Sequence, residues 1–339
     1  MIRVGRYNGG MVMNDARGPS LKTFLFGNDS FIRKTLQALV AHLAARAWSR
    51  DLLNSVYNLL GSRARRRVYL LFAKIFRDRN IAVEGGTWRL RNMGQEILIT
   101  LRSDSMWLDW DSALALLGND LEVKQTYFNI MESNLRPEIF CDIGANYGSH
   151  SLLFLTRGIQ TISFEPNRVC VDRFKELCAA NHVTPVIHQC ALGDQESAID
   201  LVFSPRDTWA GTTLESERST DVPEGWSKIS VPLHTFDRFL PDLVGKKMLV
   251  KIDAEGAEDR ILRGAKAVIA ACRPIILFEC WEDPDFRQPL IDAFQGYDYS
   301  IGELPWAPGS GFKRLTDSEF IHSKATNFIG APNEHLAVP

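Results

Sequence analysis

No stretch of this 339-residue chain approaches the ~18 uninterrupted apolar residues that a membrane-spanning helix needs. The longest candidate, VYLLFAKIF at 68–76, is short and carries Lys74. A basic-then-apolar leader with a small-residue cleavage site is also missing, so a cytoplasmic chain is expected. Cysteines number only six: Cys141, Cys170, Cys178, Cys190, Cys272 and Cys280. They form no CxxC pair and have no histidines at zinc-ligand spacing, so no metal centre of that kind is expected, and a divalent ion between Asp253 and another carboxylate is the lesser alternative. Set in apolar segments, they read as buried, reduced, small hydrophobes. Two nucleotide signatures are absent as well. Counting from Gly144, the third position of a dinucleotide fingerprint is Asn146, and no phosphate loop of the G-x-x-x-x-G-K-[ST] type occurs.

What is present is uneven. Residues 1–80 carry fifteen Lys and Arg against four acids, and the acidic excess lies in the remainder. That contrast predicts a basic appendage on an acidic body. The first thirty residues lack periodicity and read as poorly ordered. Residues 31–60 place Leu36, Leu39, Val40, Leu43, Trp48, Leu52, Val56, Leu59 and Leu60 at three- and four-residue spacing, which predicts a helix ended by Gly61. The run RARRR at 63–67 follows, then a second short helix at 68–76. From 81 the pattern predicts two short strands around 92–94, and a helix over 113–131. Three regions result: 1–80, basic, partly disordered and helical; 81–136, a small β and helical lead-in; and 137–335, the main domain.

Beyond Pro137 strands and helices alternate. Strands are expected at 139–143, 161–165, 186–190, 248–253 and 275–280, and two more at 297–302 and 326–329. Helices are expected at 149–156, 169–181, 257–271 and 288–294. Alternation of this kind builds a parallel sheet covered on both faces, the α/β class.

The chemistry gathers at strand ends. In IFCDIGANYGSHSLLFL an apolar strand ends in Asp142, a loop carries Gly144, Asn146 and Gly148, and an apolar helix follows. Such a turn lies at the carboxyl edge of an open sheet, where ligands bind. Asp142 would repel a pyrophosphate, so it suits a cationic ligand without phosphate. S-adenosylmethionine, with its sulfonium and ammonium groups, fits that description. Glu165 ends the second strand in ISFEP, 21 residues after Gly144, where an acid can hold ribose hydroxyls. Asp194 closes CALGD and could accept from an adenine amino group, or serve simply as a turn residue.

These motifs, with KIDAEGAE at 251–258, ILFE at 276–279 and TNFIGAP at 326–332, resemble the FkbM-type family of class I S-adenosylmethionine-dependent methyltransferases. The resemblance covers roughly 137–332. It implies a Rossmann-like sheet of about seven strands, the last antiparallel, to which this chain adds an N-terminal helical and small β appendage. It also implies a cofactor held by Asp142, Gly144, Asn146, Gly148, Glu165 and Asp194. Methylation of hydroxyls on glycans, glycolipids or secondary metabolites is the implied activity. Departing from the family, His150 reads as a satisfied structural histidine.

Methyl transfer to a hydroxyl is helped by a base. Asp253 and Glu279, at the ends of strands four and five, are the expected flanks of the acceptor. Lys251 shares the parity of Asp253, and Glu255 lies in the turn. Glu258, in the first helical turn, reads as a cap. Trp281 follows Glu279, and the loop WAGTTLE at 209–215 is a second candidate for substrate contact. Nitrogen methylation of protein or nucleic acid is the alternative, disfavoured for bases by the lack of an NPPY-type tetrad. A catalytically silent binding module is opposed by the intact acids. For residues 31–80 three partners compete: the catalytic domain or a second subunit as a homodimer, an anionic membrane surface, and nucleic acid, the last disfavoured by poor aromatic interleaving.

Overall fold

The strand–helix alternation resolves, in a computed structural model of the chain, into a seven-stranded mixed sheet. The structure describes residues 31–44, 46–76, 86–92, 94–101, 118–203, 211–214, 222 and 225–336. The expected disorder of the first thirty residues lies outside them, as do Trp209 and Glu215 of the WAGTTLE loop. The described residues fall into two compact units, the first drawn from 31–91 and 96–119, the second from 92–95 and 120–336.

In the second unit the strands are β3 (Ile139–Ile143), β4 (Gln160–Phe164), β5 (Val186–His188), β10 (Met248–Ile252), β11 (Ile275–Glu279), β12 (Tyr299–Glu303) and β13 (Asn327–Pro332). Their order across the sheet is β12-β13-β11-β10-β3-β4-β5, and β13 alone runs antiparallel to its neighbours. Strand order reverses between β3 and β10, which puts the ligand crevice at their carboxyl ends.

One face of the sheet is dry. Ile139, Cys141 and Ile143 of β3, Val250 and Ile252 of β10, and Ile276 and Phe278 of β11 join one hydrophobic core. Leu262, Ile269, Leu290 and Phe294 of the covering helices complete it. Side chains alternate across a strand, so the intervening positions share the other face. There Phe140 stacks on Phe154 at 3.9 Å, and Tyr127 meets both rings edge-on.

Two departures from the sequence pattern bear on the site. The third strand, expected over 186–190, ends at His188, because the His188 carbonyl accepts from both Glu165 N (3.1 Å) and Cys190 N (3.0 Å) and the chain turns. Residues Ala191–Gly193 then form β6 of a separate sheet ordered β6-β9-β7-β8, with β7 Ser197–Phe203, β8 Gly211–Leu214 and β9 Ser227–Thr235. The loop expected around 209–215 thus contributes a strand. The single helix expected over 257–271 breaks into Glu258–Arg263 and Lys266–Cys272. The Gly264 carbonyl accepts from Asp237 N (3.0 Å), and a Cβ on Gly264 would stand 1.9 Å from the Gly193 carbonyl oxygen.

The first unit contains helices Phe31–Ala44, Ala47–Leu59 and Ser62–Phe76 and the hairpin β1 (Gly86–Asn92) and β2 (Gln95–Leu101). The one helix expected over 31–60 is interrupted at Arg46, whose backbone is extended (φ −110°, ψ 131°). The RARRR run is helical from Ser62 onward, with the Gly61 carbonyl accepting from Ala64 and Arg65. Among the described residues no helix is long and apolar enough to cross a membrane.

Candidate active site

The face opposite the dry core carries a row of polar groups. Register pairs Lys251 with Asp142 and Asp142 with Ser163, while Glu279 pairs with Asn327. Paired residues share a face, so alternation puts Asp142, Lys251, Asp253 and Glu279 on one side of the sheet, at its carboxyl edge.

Asp142 is buried. Its Oδ2 accepts from Ser151 Oγ at 2.6 Å, and Ser151 lies 3.0 Å from Ser163 Oγ. Its Oδ1 has no hydrogen-bond partner among the described residues, and neither has Asn146 Oδ1. Glu165 is buried with both oxygens engaged: Oε2 accepts from Asn146 N and Oε1 from Asn167 N, each at 2.8 Å. Burial pushes its carboxyl up to about 7 against these two bonds. Asn146 itself has φ 51°, a left-handed backbone.

The loop glycines have a sharper reason than ligand approach. Gly144 (φ 78°) passes so close to the β10 exit that a Cβ would lie 1.8 Å from the Asp253 carbonyl oxygen. At Gly148 (φ 75°) a Cβ would lie 2.1 Å from the Phe174 ring. The two loops leaving β3 and β10 are therefore packed backbone against backbone, which Asp253 N reinforces by donating to the Ile143 carbonyl at 3.0 Å.

Lys251 is buried, and its Nζ donates to Asp253 Oδ2 at 2.7 Å. Burial opposes its charge, but Asp253 and Asp142 outweigh burial and hold its pKa above the ordinary lysine value. Asp253 is partly exposed and has Oδ1 free of that ion pair. Glu279 carries a carboxyl pushed up to about 9, by burial first and by the nearby Asp253 charge second. At neutral pH it is a hydrogen-bond donor. Glu258 accepts from Ala254 N (2.9 Å) and Gly256 N (3.2 Å), so it staples the turn as the sequence suggested. Glu255 stands exposed at the tip of that turn (φ 52°), its carboxyl facing Trp281. Asp194 is not brought to this group: exposed beyond β6, it pairs with Arg263 at 3.3 Å.

Sequence reasoning missed the layer behind Lys251. Asp120 faces His150 Nε2 at 3.7 Å, and His150 Nδ1 meets Tyr127 Oη at 3.1 Å. Burial and the Lys251 charge lower the His150 pKa, and burial raises that of Tyr127. A neutral His150 accepting from Tyr127 and directing Nε2–H toward Asp120 is the arrangement these shifts favour. Burial would raise Asp120, but His150, Lys124 and Lys251 outweigh it and hold the carboxyl well below its usual range. The reading of His150 as satisfied and structural fits this layer. Its partner Asp120 is 30 residues away, and no spacing rule links them. Among the described residues no cluster of His, Cys, Asp or Glu could hold a metal ion.

Glu279 gives a pH signature. Unfolded, it loses its proton near the ordinary value of ~4.3. Folded, it keeps the proton to about 9. Between those values the unfolded chain binds fewer protons, so this group's contribution to stability falls as pH rises. Glu279→Gln removes the effect. The variant should gain on the parent by on the order of 4 kcal/mol between pH 5.5 and 8.5 in thermal unfolding. A pH-independent difference would show that Glu279 ionises normally.

The strand order, with its antiparallel last strand, and the acids along the carboxyl edge define the fold of a class I methyltransferase. Residues 142–301 match the family model for the methyltransferase FkbM domain, and this segment is such a domain. Methyltransferase sdnD of Sordaria araneosa is 26% identical over 198 residues, 49% of this chain and 76% of that protein. Methyltransferase 1 of Beauveria bassiana is 25% identical over 188 residues, 49% of this chain and 75% of its own. Among solved structures, methyltransferase FkbM from Methylobacillus flagellatus superposes with a TM-score of 0.36 at 16% identity, over 68% of this chain. This chain spans 56% of that protein.

Proposed function

We propose that this methyltransferase uses S-adenosylmethionine to methylate a hydroxyl group on a glycan, a glycolipid or another secondary metabolite. The observation that carries the cofactor reading is the pair of orphaned acceptors, Asp142 Oδ1 and Asn146 Oδ1, buried beside the glycine loop. Buried polar atoms seldom lack a partner, so a ligand donor is wanted there. Both atoms are acceptors and one belongs to an acid, which suits an ammonium group and repels phosphate. Glu165, at the end of the adjacent strand, would hold the ribose. When bound, the cofactor supplies a methyl group on a positively charged sulfur that leaves as a neutral thioether.

The remaining work belongs to the chain. Protonated Glu279 donates to the acceptor oxygen and orients it. Asp253 Oδ1 takes the proton that the hydroxyl loses, while Lys251 fixes Oδ2. A base in position is worth roughly 100- to 10,000-fold in rate. Of the two acids flanking the acceptor, Asp253 is therefore the base, because Glu279 keeps its proton.

Calorimetric titration with S-adenosylhomocysteine tests the cofactor half, with one equivalent bound expected. No heat and no thermal stabilisation at millimolar ligand would remove it. Incubation with methyl-labelled cofactor and hydroxylated acceptors tests the rest. The label should appear as a methoxy carbon in the NMR spectrum, and label confined to N-methyl carbons would overturn the hydroxyl assignment.

A further inference from the structure

The N-terminal helices are amphipathic the wrong way round for a water-facing surface. On helix Ala47–Leu59 the buried residues are Ser49, Arg50, Asn54 and Tyr57. Arg50 Nε donates to the Thr87 carbonyl at 3.3 Å, and Asn54 Nδ2 donates to that of Arg89, so the polar side lies against the hairpin. Trp48, Leu52, Val56 and Leu59 recur at helical spacing on the opposite side and are 62%, 56%, 51% and 87% exposed. Helix Phe31–Ala44 repeats the inversion, with Arg33 and Gln37 buried and Phe31 and Leu39 exposed. On helix Ser62–Phe76, Leu70 and Leu71 are exposed beside Arg63, Arg66 and Arg67, which are exposed too.

We infer that the exposed apolar sides of these helices dock on an anionic lipid bilayer. Apolar side chains presented outward over three helices are costly in water and mark a surface that is covered in use. Charge decides what covers it. Residues 31–76 hold nine Lys and Arg and a single acid, Asp51. A second copy meeting this face through a two-fold axis would bring the same basic excess against it and be repelled. Nucleic acid would satisfy the arginines and leave the leucines wet. An interface that is apolar inside and anionic at its headgroups satisfies both, with the leucines and Trp48 inserted and the arginines at the phosphates.

The test is sedimentation of the full chain with vesicles, in the absence of cofactor and acceptor. Phosphatidylcholine alone is compared with phosphatidylcholine carrying about one-third phosphatidylserine. Pelleting with the anionic vesicles is expected, weakening as salt is raised. The triple variant Arg63→Gln, Arg66→Gln, Arg67→Gln should partition on the order of a hundredfold less, at roughly tenfold or less per charge. The double variant Leu52→Glu, Leu59→Glu should lose binding to a similar degree. All five positions are exposed, so unchanged circular dichroism and unfolding temperature are expected for both. No pelleting with either vesicle would overturn the inference, as would variants that partition like the parent. A lipid-independent dimer abolished by Leu52→Glu, Leu59→Glu would assign the face to a second copy instead. S-adenosylhomocysteine binding is read separately, so failure here leaves the methyltransferase reading standing.

Discussion

Asp253→Asn should slow methyl transfer by about two to four orders of magnitude while leaving S-adenosylhomocysteine affinity within about threefold. The substitution keeps the side-chain shape and its bond to Lys251 Nζ, which an amide oxygen can still accept. It removes the charge of a partly exposed carboxylate whose Oδ1 lies outside the ion pair with Lys251. The loss should therefore fall on turnover, since the cofactor contacts proposed for Asp142, Asn146 and Glu165 stay in place. Single-turnover kinetics with labelled cofactor, alongside calorimetry, separates the two quantities. Full activity in the variant would take Asp253 out of the chemistry, and lost binding would move it to the cofactor.

The second large effect lies away from the reacting groups. Arg287 is wholly buried, and its guanidinium donates to five backbone carbonyls: those of Trp281, Phe320, Ile321, Ser323 and Ala325. Its guanidinium carbon lies over the rings of Phe320 and Phe328, at 5.3 and 5.2 Å from their centroids. The arginine thus ties the corner after Glu279 to the segment entering β13. Arg287→Met fills the volume and strands the carbonyls. Each buried unpaired group costs ~1–3 kcal/mol, and some will find water, so a loss of about 4 kcal/mol is expected. That corresponds to a fall in unfolding temperature of roughly 10 °C for a domain of this size. Arg287→Lys should recover only a small part, because one ammonium cannot span the fan of carbonyls. An unfolding temperature unchanged by Arg287→Met would mean that the corner is held by packing alone.

What could be read from the chain was the frame of the sheet. Four parallel core strands, β3, β4, β10 and β11, are short apolar runs that end at or beside an acid, and those ends mark the edge at which Asp142, Glu165, Asp253 and Glu279 appear. Direction and distance were not legible. Periodicity found the stripe Trp48, Leu52, Val56 and Leu59 but cannot say whether a stripe faces in or out, and here it faces out. The four-stranded sheet escaped because β7 begins exposed and turns inward only at Leu201, so its alternation is faint. Arg287 looks in sequence like any surface arginine of an amphipathic helix, since the carbonyls that bury it come from 33 to 38 residues further on. The pairing of Asp120 with His150 likewise depends on a fold that no local spacing encodes.

The contact between Gly144 and the Asp253 carbonyl gears two loops together. A shift of Asp253, proposed to meet the acceptor, must drag the loop proposed to hold the cofactor, and the reverse. Such coupling leaves little freedom for drift at this seam.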